Sequence, residues 1–463
     1  MAHTANAKTV SLTEGSVWRG MLRFFLPIML GTVFQQLYSM VDAVVLGRYV
    51  GKTALAAVGG SDFVIINLIV GFFVGLSSGA AVVISQHSGA GEDSAVSRAV
   101  RTAMLLSFWI GALVTVLGIA LASPLLRALG TPEETMQYSM DYLRWYFAGM
   151  IPSMIYNMGS SVLRAFGDAK RPLYFLLVCA AVNTGLDLLF VITFQMEVAG
   201  AAIATSVSQL VCAALVLITL LRLPYPQRLR LDTLRMDRRL LGRMLTIGLP
   251  AGVQSMLYCV TNLFVQRATN MLDTDTVAAW AAFWKLDGVY WPISNALGIA
   301  VMTFVGQNYG AHRRERIFQS IHAGLILHLL ISALFGVLIF VLRRPIIRLF
   351  CEEDAVIAHG LQIVTYLAFC YPLFSLTEVF SSAMRGAGNA VKPTVITLLG
   401  VCVLRMTMLF LITFPHPSNL TIAICYPVTW TVSSLMFLIY YKFGKWLPAW
   451  KEKAQPAEPQ LHT

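Results

Sequence analysis

The chain has 463 residues, of which 57% are hydrophobic and only 12% charged, with a formal net charge of +11. Soluble domains carry about 25% charged residues, so an assembly of water-soluble domains is excluded, and a mean hydropathy of +0.70 spreads the apolar excess along the whole chain. In a soluble protein the positive charge would point to nucleic acid; here the basic residues lie between apolar runs, and no nucleic-acid partner is expected.

A helix needs about 20 residues to cross the hydrocarbon layer. Twelve runs meet that length, at 21–45, 55–80, 96–123, 135–160, 172–194, 198–221, 243–270, 276–305, 318–342, 357–384, 393–414 and 420–443. They are called spans 1 to 12 below. The polar opening, residues 1–16, lacks an apolar stretch with a small-residue cleavage site, so span 1 itself is expected to target the chain to the membrane. Residues 223–242 form the one long polar connection in mid-chain, with Pro224, Pro226 and alternating charge. They are read as a solvated linker, with an amphipathic helix over 229–241 as the alternative. The expected division is a six-helix lobe over 1–222, the linker 223–242, a second six-helix lobe over 243–445 and a tail over 446–463.

Lysines and arginines decide the orientation. An even number of spans places both termini on one side, and the loops of that side hold 24 basic residues against 7 on the other. Positive charge is retained in the cytoplasm, so both termini are expected there. The cluster Arg343, Arg344 and Arg348 is the one loop that opposes the rule. Six of the seven cysteines, all but Cys351, fall in apolar segments without a CxxC pair, and read as small core residues.

The two halves repeat. Leu26-Pro27 corresponds to Leu249-Pro250, and Gln86, Gly89 and Ala90 correspond to Gln307, Gly310 and Ala311. Ser160, Arg164, Gly167 and Pro172 match Ser381, Arg385, Gly388 and Pro393 at an offset of 221. With six spans per half, both halves insert the same way up, related by an axis along the membrane normal, and a binding site is expected between them.

Ionisable residues inside a span are costly and point to function. Gln35, Tyr38 and Asp42 share one face of span 1. Asp187 lies deep in span 5, with Asn183 one turn before it, and span 6 carries Thr205. Two carboxylates, an amide oxygen and a hydroxyl make a hard-oxygen set suited to Na⁺, and equally a proton relay. At the repeat offset Asn183, Asp187 and Thr205 become Leu404, Met408 and Tyr426, so any ion site belongs to the first lobe alone. For the substrate cavity the expected lining is Gln35, Tyr38, Met256, Trp284, Tyr290 and Glu378, because aromatic faces attract organic cations and methionine repacks around varied ligands. The roles of Lys285, Asp287 and Arg405 are open. There is no GxxxxGK[ST] or HExxH motif, and no enzyme activity or cofactor is expected beyond Na⁺ or H⁺ as coupling ion.

Pro27 and Asp42, Gln86, the repeated Arg-x-x-Gly…Pro turns and the set Asn183, Asp187 and Thr205 together resemble the multidrug and toxic compound extrusion (MATE) transporters, over about residues 16–445. The resemblance is closest to the prokaryotic branch named for DNA-damage-inducible protein F. It implies two six-helix lobes in a V, exporting cationic drugs or amphiphiles against Na⁺ or H⁺. It also implies a cation site on Asp42, Asn183, Asp187 and Thr205. The other major branch uses acidic residues in helices 7 and 10, and span 7 has none in its core here. A lipid-linked sugar flippase of the same superfamily, drawing on Lys285, Arg267 and Arg405, is the alternative; a channel or non-transporting receptor is a second. The resulting expectation is an all-α, multi-pass, monomeric protein of the bacterial inner membrane, with the bilayer and a small molecule as its partners.

Overall fold

The structure, a computed structural model, describes residues 12–232, 234–348 and 353–449. Cys351, like the chain ends beyond these limits, lies outside the described residues; the other six cysteines are free thiols. All twelve spans form. Ten are helical stretches long and apolar enough to cross a bilayer: Val17–Val50, Thr53–Gly89, Asp93–Ala128, Lys170–Thr193, Glu197–Arg222, Arg238–Thr269, Thr274–Gly310, Arg314–Val341, Val391–Thr413 and Asn419–Phe443. Span 10 is the pair Asp354–Leu367 and Tyr371–Gly386, bent by 44°. Span 4 is two 16-residue helices, Glu133–Ala148 and Met150–Ala165, meeting at Gly149. A side chain there would strike Ser206 of span 6, so the glycine permits close packing.

Span 2 departs most from expectation. The apolar run from 55 is interrupted at Gly60, so that Lys52–Gly59 makes a short helix and the membrane helix proper is Ser61–Gly89. In mid-chain, the backbone leaves span 6 after Arg222, and among the described residues it becomes helical again at Arg238.

The repeat of the sequence is a repeat of structure. Spans 5 and 11 both loosen into a π-helical turn, Leu188–Thr193 and Leu409–Thr413, which begin 221 residues apart. Gly167 and Gly388 take the same left-handed conformation, φ +83° and +91°, in the two Arg-x-x-Gly turns, a backbone state that glycine adopts without steric cost. The lobes pack crosswise: span 1 on span 8, and its repeat partner, span 7, on span 2. Gly75 and Gly79 meet the backbone of Gly248 and Gly252 in the second of these contacts. In lipid, where apolar surface gives helices little reason to associate, such small residues let backbones approach and gain dispersion contacts. Phe24 and Phe304 fill the other contact edge to face, with ring centroids 6.1 Å apart.

Every cross-lobe side-chain hydrogen bond of the described residues lies at one end of the molecule. Asn308 Nδ2 donates to Leu12 O at 3.0 Å, and Tyr309 OH to Pro448 O at 3.3 Å, so both ends of the described chain sit on this same face. Arg313 and Arg316 donate to the carbonyls of Thr13 and Gly15 beside them. Toward the opposite end span 1 is bare: Leu37, Met40 and Val44 are 49%, 63% and 60% exposed.

Candidate functional site

Each lobe holds a cavity on the inner side of its helices, of about 390 Å³ in the N-lobe and about 430 Å³ in the C-lobe. Asn295 of span 8 lines both, at their junction. These volumes fall in the range of small-molecule sites.

In the N-lobe cavity Gln35, Tyr38 and Asp42 line one wall, as their helical spacing requires, and Thr205 and Gln209 of span 6 line another. Asn183 and Asp187 are fully buried behind that surface. Asp187 meets Asp42 carboxyl to carboxyl, and Asn183 Nδ2 reaches Thr205 Oγ1 at 3.5 Å. The structure therefore brings the four residues together. Their oxygens lack donors: Asp42 Oδ1, Asn183 Oδ1 and both oxygens of Asp187 are buried without a hydrogen-bond partner. Buried polar atoms are normally satisfied, and two facing carboxylates coexist only with a proton or a cation between them. The donor set thus fits a hard cation or a proton by its chemistry.

Asp62, at the start of the membrane part of span 2, was not singled out from the sequence. It is fully buried, and neither carboxylate oxygen has a hydrogen-bond partner. Ser139 of span 4 lies against it, also buried and also unpartnered. Tyr142, one turn after Ser139, lies within electrostatic reach of Asp42, Asp62 and Asp187. The signal available was a carboxylate inside a long apolar run, masked because Gly60 breaks that run just before it.

The C-lobe cavity is aromatic and mixed in charge. Trp284 and Glu378 line it, together with Asp287, Arg385 and Arg405. Tyr290 and Met256 line neither of these two cavities. Tyr290 is fully buried behind the wall, its hydroxyl 2.9 Å from Ser332 Oγ and its ring 4.5 Å from that of Tyr371. Asp287 is held as an acceptor by Trp291 Nε1 at 2.7 Å and Tyr371 OH at 2.8 Å. Glu378 accepts from Ser382 Oγ at 3.3 Å, and Gly298 leaves it room, since a Cβ there would collide with its carboxylate. Lys285 and Arg267 are exposed and line neither cavity, so Arg405 is the only one of the three flippase-type cations that faces a chamber.

The family model MatE matches the chain twice, over residues 27–189 and 250–411, one match in each lobe. Over 459 residues the chain is 29% identical to the "Probable multidrug resistance protein YoeA" of Bacillus subtilis (strain 168), covering 96% of each. It is 24% identical over 402 residues to an "FAD transporter" of Shewanella oneidensis, covering 86% of this chain and 88% of that one. Among solved structures, a MOP superfamily transporter from Pyrococcus furiosus Vc1 (DSM3638) superposes with a TM-score of 0.87 at 21% identity, covering 94% of this chain and 97% of that one. With twelve spans in two repeated lobes, each carrying one match to the family model, the chain belongs to the MatE family of multidrug and toxic compound extrusion transporters.

Proposed function

We propose that the protein is a secondary antiporter that exports small organic cations or amphiphiles in exchange for Na⁺ or H⁺ by alternating access. The observation that carries this reading is the cluster of Asp42, Asn183, Asp187 and Thr205, with its four buried, donorless oxygens at and directly behind the wall of a cavity. A carrier must couple its conformation to an ion, and an ion that replaces missing donors does so by drawing spans 1, 5 and 6 together. Sodium is favoured over a bare proton relay because Asn183 and Thr205 add neutral oxygens able to replace lost hydration. Protonation of either carboxylate removes ligand charge, so Na⁺ binding weakens as pH falls.

Orientation follows from the basic residues. The face carrying both ends of the described chain is the one to whose loops the sequence assigns 24 lysines and arginines, and is read as cytoplasmic. The lobes meet on that face, so the arrangement corresponds to the outward-open limb of the cycle. Both cavities are built from a single chain, and a monomer suffices.

The test is ion-gradient dye efflux from vesicles together with Na⁺ titration of the purified protein at two pH values. Saturable Na⁺ binding, weaker at the lower pH, is expected. Asp187→Asn should abolish coupled efflux while the protein still folds, and Thr205→Val should weaken Na⁺ binding more than proton-driven efflux. Wild-type efflux by Asp187→Asn would remove the cluster from the coupling mechanism. Absence of saturable Na⁺ binding at both pH values would leave H⁺ as the coupling ion.

A further inference from the structure

The repeat places a positive charge in the C-lobe one helical turn before Met408, the counterpart of Asp187. At an offset of 221, Thr205 becomes Tyr426, and Thr184, which follows Asn183, becomes Arg405. Arg405 makes its contact across the corresponding pair of spans. In the N-lobe, Asn183 of span 5 reaches across to Thr205 of span 6. In the C-lobe, Arg405 of span 11 reaches across to span 12, its Cζ 4.5 Å from the centre of the Tyr426 ring. One lobe thus presents carboxylates, and the other a guanidinium, on corresponding spans.

Arg405 is 3% exposed and forms part of the cavity wall. One nitrogen of its fork donates to Thr429 Oγ1 at 3.3 Å, and Nε has no partner. Among the described residues it forms no ion pair. Asp287 lies within its electrostatic reach, but the two oxygens of that carboxylate are already held by Trp291 and Tyr371. A guanidinium buried at membrane depth is costly unless it is paired. Its planar fork matches a carboxylate or a phosphate, and the cation–π contact with Tyr426 leaves the outer donors free for one. Span 11 carries Arg405 on a single α-helical turn between two π-helical segments, Leu398–Val403 and Leu409–Thr413, an irregularity frequent at functional sites.

The rest of the wall is aromatic. Trp430 stands at the centre, its ring 5.8 Å from Trp291, 5.7 Å from Tyr426 and 6.1 Å from Phe374. Such edge-on and tilted faces receive a flat ring, and about 430 Å³ holds one of modest size.

We propose that the C-lobe cavity binds planar aromatic oxyanions, carboxylate or phosphate, with Arg405 as the anchor of the charge and the Trp291–Tyr426–Trp430 wall as the seat of the ring. This goes beyond the export of cations, and holds whichever ion drives the cycle. An aromatic zwitterion would find its anionic end served here.

The experiment is equilibrium dialysis of the full-length protein in lipid nanodiscs, with empty nanodiscs as blank. The probes are 1-naphthoate, 1-naphthyl phosphate and the neutral 1-naphthalenemethanol. Saturable binding of one or both anions, about tenfold tighter than the alcohol, is expected, since a charge-assisted pair at a buried fork is worth that factor or more. Arg405→Gln should erase this preference and leave binding of the alcohol unchanged. An unfolding midpoint equal to that of the natural protein establishes that the variant is folded, and Asp187→Asn should leave anion binding intact, which separates this site from the cation cluster. Anion binding that survives Arg405→Gln overturns the proposal. If that variant does not fold, the natural protein decides: an anion affinity no greater than that of the alcohol overturns it equally.

Discussion

Gln86 and Gln307 close the molecule by a reciprocal exchange. Gln86 Nε2, at the end of span 2, donates to Gly386 O of the other lobe at 2.9 Å, and Gln307 Nε2, at the end of span 8, donates to Ala165 O at 2.7 Å. Both acceptors directly follow the arginines of the repeated turns, so two motifs of the repeat grip each other across the lobe boundary. Gly89 and Gly310 bring the same two helix ends into backbone contact, because a Cβ on either would overlap the opposite glutamine's carbonyl.

Each of these bonds is buried, and losing it leaves a carbonyl unsatisfied, at about 1–3 kcal/mol. Gln86→Ala and Gln307→Ala are both expected to loosen this face. Gln86 has the larger effect, because its Oε1 also accepts from Arg243 Nη2 at 2.9 Å. Spin-label distance distributions between positions 92 and 314 should broaden in both variants. A variant with an unchanged distribution would show that the glycine contacts alone hold the lobes closed.

Asp62 is a buried carboxylate without a donor, and Ser139 beside it is also unpartnered. Asparagine in its place removes a charge from a low-dielectric site and adds an N–H that can reach the serine. Asp62→Asn is expected to stabilise the protein by about 1–3 kcal/mol, read as a higher unfolding midpoint in detergent. A lower midpoint would mean that the carboxylate is already serving a cation there.

Asp237 anchors the start of span 7 at the linker. Its Oδ1 accepts from the backbone amides of Arg239 and Leu240 at 3.0 and 3.2 Å, and its Oδ2 from Arg98 Nε at 3.1 Å. The Leu240 amide, followed by the Arg239 amide and Arg98, holds the carboxyl below its ordinary value of 3.8. A depressed folded-state value means that the contribution is present above that ordinary value and lost as pH falls through the lower folded one. Asp237→Ala is expected to cost about 1 kcal/mol at neutral pH, the worth of a helix cap. The gap to the natural protein should close as pH falls below the ordinary carboxylate range, as measured by unfolding midpoints from pH 7 downward. A gap independent of pH would attribute the loss to packing.

Much of this architecture is legible along the chain, because the bilayer imposes a local rule. Any run of about 20 apolar residues must become a helix that satisfies its own backbone, so the spans follow from length alone, and the 221-residue register survives because each landmark is a turn or a crossing that its neighbours dictate. Asn183 and Asp187 were readable for the same reason: they are one helical turn apart within one span. What adjacency cannot convey is which helix faces which. That Asp42 meets Asp187, that Arg405 turns into a cavity beside Tyr426, and that Tyr290 and Met256 stay out of both chambers depend on the rotation of whole helices about their axes. Small residues on distant spans set that rotation, such as Gly75 and Gly79 against Gly248 and Gly252. Span 4 was legible as a run over 135–160, but not its division into two helices at Gly149, which depends on the close approach of Ser206 of span 6. Tertiary packing also decides which side of it is buried, that of Leu143 and Phe147.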